Sequence, residues 1–143
     1  MPKLARIIET ALYVDDMDRA RHFYSTVMGL EPISEAETLV AFSVGGQNVL
    51  LIFLRGGSMK TQHFPGGEGV PRGEIPPHDG YGPLHICFAV DAEELPAWEK
   101  KLSDSGIAVE GRMKWVRGGE SIYFRDSDNH LLELMTPGNW SIY

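Results

Sequence analysis

Three ionisable side chains interrupt runs that are otherwise apolar and strand-like. Glu9 stands between Ile7-Ile8 and Thr10-Ala11-Leu12-Tyr13-Val14. His85 opens His85-Ile86-Cys87-Phe88-Ala89-Val90, and Glu133 sits between Leu132 and Leu134. Imidazoles and carboxylates move protons or hold cations, and either use needs them gathered on one surface. Taken singly, each has an ordinary explanation: a hydrogen-bonded structural histidine, or a solvated glutamate near a terminus. Their placement argues otherwise. Alternate residues of a strand share a face, so Glu9, Ala11 and Tyr13 point one way while Leu12 and Val14 point the other. By the same rule His85, Cys87 and Ala89 oppose Ile86, Phe88 and Val90. Glu133 lies with Leu131 and Met135, opposite Leu132 and Leu134. Each strand thus presents one ionisable group on the face away from its larger residues, and a carboxylate among leucines is costly to bury without a partner.

The elements that must position these groups can be read from hydrophobic periodicity. Ile7 to Val14 reads as a strand. Asp15 and Asp16 supply N-cap candidates for a helix on which Met17, Ala20, Phe23, Tyr24, Val27 and Met28 form one apolar stripe, and Gly29 is placed to end it in a left-handed C-cap. Strands Leu39 to Val44 and Val49 to Leu54 follow, joined by Gly45-Gly46-Gln47-Asn48. From Arg55 to Pro83 the chain is rich in Gly and Pro without periodicity, which predicts a long connecting loop. The second half repeats the plan. Leu84 to Val90 is a strand, Asp91 stands where Asp15 stood, and Leu95, Trp98 and Leu102 make a helical stripe. Gly106-Ile107 answers Gly29-Leu30. Strands near 109–117, 120–125 and 131–136 complete it, with the turn Asp126-Ser127-Asp128-Asn129 before the last. Glu9 lies five residues before Val14, as His85 lies five before Val90. The expected organisation is a first βαβββ module over 1–56, a loop over 57–83 and a second βαβββ module over 84–143. Neither module can cover both faces of its sheet, so the two should pack as one structural domain.

Composition excludes several classes of function. At 143 residues the chain can bury roughly 68–70% of its unfolded surface and needs no staples. The single cysteine, Cys87, rules out an intrachain disulfide and a cysteine-based zinc site and fits a reducing, cytoplasmic compartment. A net charge of −7 argues against nucleic acid as a partner. The start Met1-Pro2-Lys3-Leu4-Ala5-Arg6 reads as neither a signal peptide nor a membrane span. A small-molecule substrate is the partner class that remains.

The run Ile8-Glu9-Thr10-Ala11-Leu12-Tyr13-Val14-Asp15-Asp16, with Phe23-Tyr24 and Met28-Gly29-Leu30 behind it, resembles the opening module of vicinal oxygen chelate proteins. So does Gly82-Pro83-Leu84-His85-Ile86, and so does the closing stretch from Tyr123-Phe124-Arg125-Asp126 through Asn129-His130 to Leu132-Glu133-Leu134. This glyoxalase, bleomycin-resistance and extradiol-dioxygenase-like superfamily has an α+β fold in which two βαβββ modules curl mixed sheets into an open cup around one divalent metal. The resemblance covers nearly the whole chain. It implies metal ligands at Glu9, His85 and Glu133, with a fourth position mapped to Ile52, which cannot ligate. The first-strand position, more often His or Gln in the family, is Glu9 here. One imidazole and two carboxylates suit Mn²⁺, Mg²⁺, Fe²⁺ or Ni²⁺ and are compatible with Zn²⁺. Three protein ligands leave positions open for water or a chelating substrate.

The resemblance further implies a glyoxalase-like metalloenzyme, an isomerase or lyase that stabilises an oxyanion or enediolate, with Glu133 as the catalytic base. Three other readings stay open: an Fe²⁺-dependent extradiol-type dioxygenase, whose preferred two histidines Glu9 breaks; a fosfomycin-resistance-like transferase, which would need a thiol cosubstrate site; and a metal-free sequestering protein of the bleomycin-resistance sort. Secondary candidates for binding substrate are Arg117, His78, Tyr13 and Cys87. Arg117 could pair with a carboxylate, though a solvated strand-end Arg is as plausible. His78 could reach the cup from the loop, though a surface position is the simpler assignment. Cys87 reads as a small packing residue rather than a nucleophile. A homodimer is expected, with the site formed within one chain or across a swapped pair.

Overall fold

In the computed structural model, which describes residues 1–143, the first apolar run forms strand β1 (Glu9–Val14), with Leu12 and Val14 buried on one face. Asp16 then turns the chain: its carboxylate accepts a hydrogen bond from the Arg19 N–H at 2.9 Å and caps helix α1 (Met17–His22). The helix continues as a π-helical turn over Phe23–Val27, closed by the Met28 N–H on the Phe23 carbonyl at 3.1 Å. Every residue of the apolar stripe from Met17 to Met28 is buried. Gly29, with φ at 69°, ends it in the left-handed region that favours glycine.

Three strands complete the sheet: β2 (Glu31–Glu35), β3 (Leu39–Val44) and β4 (Asn48–Leu54), in the order β1-β4-β3-β2 with β1 and β4 parallel. Gly45 and Gly46 both have positive φ, as a tight β3–β4 turn requires. Leu12, Val40, Phe42, Leu50 and Ile52 form the buried face of the sheet, which α1 covers along β4. Strand β2 has no counterpart in the hydrophobic pattern. All five of its residues are exposed, so it carries no alternating signal. The stretch read as a loop holds the short pair β5 (Gln62–Phe64) and β6 (Gly73–Ile75), and it belongs to the first of two compact units, Met1–Tyr81 and Gly82–Tyr143.

The second unit repeats the topology. Strand β7 (His85–Ala89), helix α2 (Leu95–Asp104), and strands β8 (Gly111–Lys114), β9 (Glu120–Arg125) and β10 (Leu131–Met135) give the order β7-β10-β9-β8, again with the first and last strands parallel. Strand β8 is shorter than the 109–117 expected, because Trp115–Gly119 close a turn through the Gly118 N–H to the Trp115 carbonyl. Phe88, Leu95, Leu102, Ile122, Phe124, Leu132 and Leu134 make the core. In the last turn the Asp126 carboxylate accepts from the N–H groups of Asp128 (2.9 Å) and His130 (2.8 Å), holding Asn129 at φ 68°. His130 is fully buried, and its Nδ1 accepts the Leu84 N–H at 2.9 Å, which ties the start of β7 to the start of β10. No helix is long and apolar enough to cross a membrane. The architecture is α+β, two βαβββ-like modules built on mixed sheets.

Candidate functional site

The parallel pairing of β7 with β10 sets Glu133 opposite Cys87 and Leu131 opposite His85, while the antiparallel pairing with β9 sets Glu133 opposite Tyr123. His85, Cys87, Tyr123 and Glu133 therefore share the face turned away from Leu132, Leu134 and Phe124. Two of the three expected ligands meet here. His85 Nε2 lies 3.2 Å from Glu133 Oε2. His85 Nδ1 lies 2.9 Å from the Leu131 carbonyl, which can only accept, so Nδ1 carries a proton. In the neutral ring Nε2 then turns its lone pair toward a carboxylate oxygen. Two acceptors at that distance require a proton or a cation between them.

Glu133 sharpens the point. It is 4% exposed, and its Oε1 is buried with no hydrogen-bond partner. An unpartnered buried carboxylate oxygen costs several times what an ordinary hydrogen bond contributes. A divalent cation bound by His85 Nε2 and Glu133 would satisfy both atoms. Metal-ligating histidines characteristically donate their other N–H to a backbone carbonyl, as His85 does to Leu131. The residues present fit a metal. Within neither unit do three or more His, Cys, Asp or Glu side chains gather, so this pair needs further ligands.

The neighbours of Glu133 are held neutral. Burial first, and the Glu133 charge second, push the Cys87 thiol up to about 12. Burial and Glu133 likewise raise the Tyr123 phenol above its ordinary value. The sign for Cys87 is that the protonated thiol is favoured in the fold, so thiolate appears only as the pH climbs toward 12. Native Cys87 should therefore react with iodoacetamide at pH 7.5 at least about 10-fold more slowly than in the urea-unfolded chain, the shift being discounted for the solvent that reaches it. Equal rates would show that the thiol is not held neutral.

In the first unit, Glu9 is exposed on the face of β1 that it shares with Ala11 and Tyr13. The residues of β4 on that face are Val49, Leu51 and Phe53, and Leu51 pairs with Ala11 as Glu133 pairs with Cys87 in the second unit. Ile52 pairs with Leu12 on the opposite, helix-covered face and is fully buried. The fourth position of the repeat, mapped to Ile52 from the sequence, is therefore Leu51. The error is one residue, and one residue exchanges the faces of a strand. Neither residue can ligate.

The secondary candidates divide. Tyr13 and His78 come together, the Tyr13 hydroxyl 2.8 Å from His78 Nδ1, so the loop histidine does reach the open face of its own sheet. Cys87 stands beside Glu133. Arg117 is exposed in the turn between β8 and β9. Sequence reasoning missed Tyr123 and Phe53. Alternation could place each on a face, but only the cross-strand register puts Tyr123 opposite Glu133 and Phe53 opposite Tyr13.

Comparison with known proteins bears on this geometry. The family model described as Glyoxalase/Bleomycin resistance protein/Dioxygenase superfamily matches residues 6–134. A metallothiol transferase FosB of Bacillus licheniformis is 33% identical over 135 residues, covering 94% of this chain and 77% of the relative. One from Staphylococcus haemolyticus is 31% identical over 124 residues, covering 86% and 77%. Among solved structures, a lactoylglutathione lyase from Agrobacterium tumefaciens superposes with a TM-score of 0.84 at 32% identity, over 98% of this chain and 99% of that one. The fosfomycin resistance protein FosX of Listeria monocytogenes, 23% identical with a TM-score of 0.63 over 96% and 95% of the two chains, shares the fold.

Proposed function

Because this chain belongs to the glyoxalase/bleomycin resistance/dioxygenase superfamily, we propose that it is a metal-dependent enzyme acting on a small chelating substrate, with His85, Glu133 and Glu9 as protein ligands. The observation that carries this reading is the His85–Glu133 pair, a histidine lone pair and a buried carboxylate facing one another with Glu133 Oε1 left unpartnered. When bound, a divalent ion (Mn²⁺, Mg²⁺, Fe²⁺, Ni²⁺ or Zn²⁺) would supply a Lewis acid for an oxyanion developing on the substrate.

The protein's own groups do the rest. The Leu131 carbonyl fixes the tautomer and orientation of His85. Glu133 takes the proton from the substrate carbon as general base and returns it to the neighbouring position, an isomerase or lyase sequence. Cys87 and Tyr123, protonated beside it, add no competing negative charge. Glu9 completes the ligand set from the same chain or from a second copy in a homodimer.

A transferase is the second reading. It is favoured by the name metallothiol transferase on relatives about one-third identical to this chain. In that case the metal ligands are unchanged, and a thiol cosubstrate attacks an electrophile in place of the internal proton shift. An isomerase turns over a preformed thiol adduct without consuming free thiol, whereas a transferase consumes it stoichiometrically.

The first test is metal analysis of protein prepared without chelator and after reconstitution. About one divalent ion per chain is expected. Occupancy should fall sharply in His85→Ala and Glu133→Ala and drop measurably in Glu9→Ala, with the fold intact by circular dichroism. A parent that takes up no ion after reconstitution would move the function to metal-free sequestration of a small molecule.

A further inference from the structure

The open face of the first unit's sheet bounds a cavity of ≈ 550 Å³, a size that accepts a small organic molecule. One wall of it is aromatic. Tyr13 and Phe53 are stacked with ring centroids 5.8 Å apart and planes 22° from parallel. The His78 ring stands edge-on to Phe53 at 4.5 Å. Leu39, Leu51 and Ile75 supply aliphatic surface, and no Lys or Arg lines the cavity.

His78 lies 65 residues from Tyr13 in sequence, within a Gly/Pro-rich segment, and it is in place because the chain around it is fastened. Arg55 is the fastener. Its Nε donates to the Gly80 carbonyl at 2.8 Å, its Nη2 to the Tyr13 carbonyl at 3.1 Å, and its Nη1 pairs with Asp15 at 2.6 Å. The His78 N–H donates to the Ser58 carbonyl at 3.0 Å, and the Gly56 N–H to Asp79 at 3.2 Å. Gly80 lies against the Tyr13 ring so closely that a Cβ there would come within 2.5 Å of it. These six contacts hold one imidazole beside one cavity, which is more than a solvated surface histidine needs.

The protonation pattern follows. Burial, then the Asp79 charge, raise the Tyr13 phenol above its ordinary value, so it keeps its proton and can donate to His78 Nδ1. When the hydroxyl donates to Nδ1, the imidazole proton sits on Nε2 and is a hydrogen-bond donor for a ligand. Glu9 lies on the same strand face four residues from Tyr13, about 13 Å at the rise of a β-strand.

We propose that this cavity is a substrate subsite for a neutral, planar aromatic group bearing a hydrogen-bond acceptor, its ring packed on Phe53 and Tyr13 and its acceptor met by His78. The proposal rests on the reading of the chain as a metal-dependent enzyme and deepens it by naming one feature of the substrate, an aromatic body carried at the Tyr13 end of the first unit's open sheet face. With no Lys or Arg in the lining and Glu9 within it, the cavity favours a neutral group over a carboxylate or phosphate, and the stacked rings favour a flat group over an aliphatic one.

Three non-chelating probes test it on the full-length, metal-free protein, by saturation-transfer and chemical-shift NMR: acetophenone, cyclohexyl methyl ketone and benzoate. Acetophenone should bind and shift Tyr13 and Phe53 resonances. The cyclohexyl ketone should bind about 2- to 10-fold more weakly, the worth of an aromatic contact, and benzoate more weakly still. Phe53→Leu and His78→Ala should each weaken acetophenone several-fold while leaving metal uptake by His85 and Glu133 unchanged. His78→Gln, which can still accept from Tyr13 and donate to the ligand, should recover most of the binding. No acetophenone binding, equal binding of the two ketones, or binding indifferent to both Phe53→Leu and His78→Ala would overturn the proposal. Failure of the parent to take up metal would instead overturn the enzyme reading and leave only the binding of a neutral aromatic group by this cavity standing, so the two failures are distinguishable.

Discussion

Glu133→Gln should lower turnover of a chelating substrate, with α-keto-thiol adducts the first class to screen, by roughly 10²–10⁴-fold. Glutamine keeps the shape of the side chain and one carbonyl oxygen, so the packing of β10 between β7 and β9 survives. What it lacks is a basic carboxylate. In the wild-type chain that carboxylate is 4% exposed, has one unpartnered oxygen, and has both neighbouring acids held protonated. It is the basic group of that sheet face apart from the His85 ring it touches. The assay should be run at saturating Mn²⁺ or Zn²⁺ with occupancy measured alongside, because weakened metal binding and a lost base both reduce rate. Full turnover at full occupancy in Glu133→Gln would remove Glu133 from the chemistry and leave it a ligand only.

Phe124→Ala carries the largest expected effect on stability. Phe124 is fully buried in the second unit, paired with Leu132 across β9 and β10 on the buried face of the sheet. Truncating a buried phenylalanine removes its transfer free energy and leaves a cavity, together about 3–5 kcal/mol. Against a typical total of about 5–15 kcal/mol, that is a large part of the stability of a chain this size. Urea denaturation followed by tryptophan fluorescence would read it as a lower midpoint at unchanged slope. A cost under about 1 kcal/mol would mean that β9 does not pack as described. The two predictions concern opposite faces of one hairpin: Tyr123 lies opposite Glu133 on the chemical face, and Phe124, the next residue, holds the other face to the core.

The contrast between Ile52 and Leu51 shows where reading a sequence stops. Both are apolar residues in an apolar run, and nothing local distinguishes the one that faces the helix from the one that faces the cavity. The β1–β4 ladder decides it by pairing Leu12 with Ile52 and Ala11 with Leu51. Strand β2 went unread for a different reason. A strand with both faces exposed has no hydrophobic alternation to detect, and it exists because β3 offers it a hydrogen-bonding edge. The β5–β6 pair is likewise exposed and short.

The sequence by itself determined the elements whose patterns are local: the helix stripe from Met17 to Met28, its Asp16 cap and Gly29 stop, the alternation of β1, β7 and β10, and the repeat of one module by the other. It therefore determined which face of its strand each of Glu9, His85 and Glu133 occupies, because alternation is a property of a single strand. Only the tertiary structure decided what those groups meet. The His85–Glu133 contact, the orphaned Glu133 oxygen, Tyr123 at its side, and His78 pinned on Tyr13 by Arg55 all join residues distant along the chain. Their geometry depends on cross-strand register and on loop fastening, and the free energy of both is spread over backbone hydrogen bonds that every residue type can make.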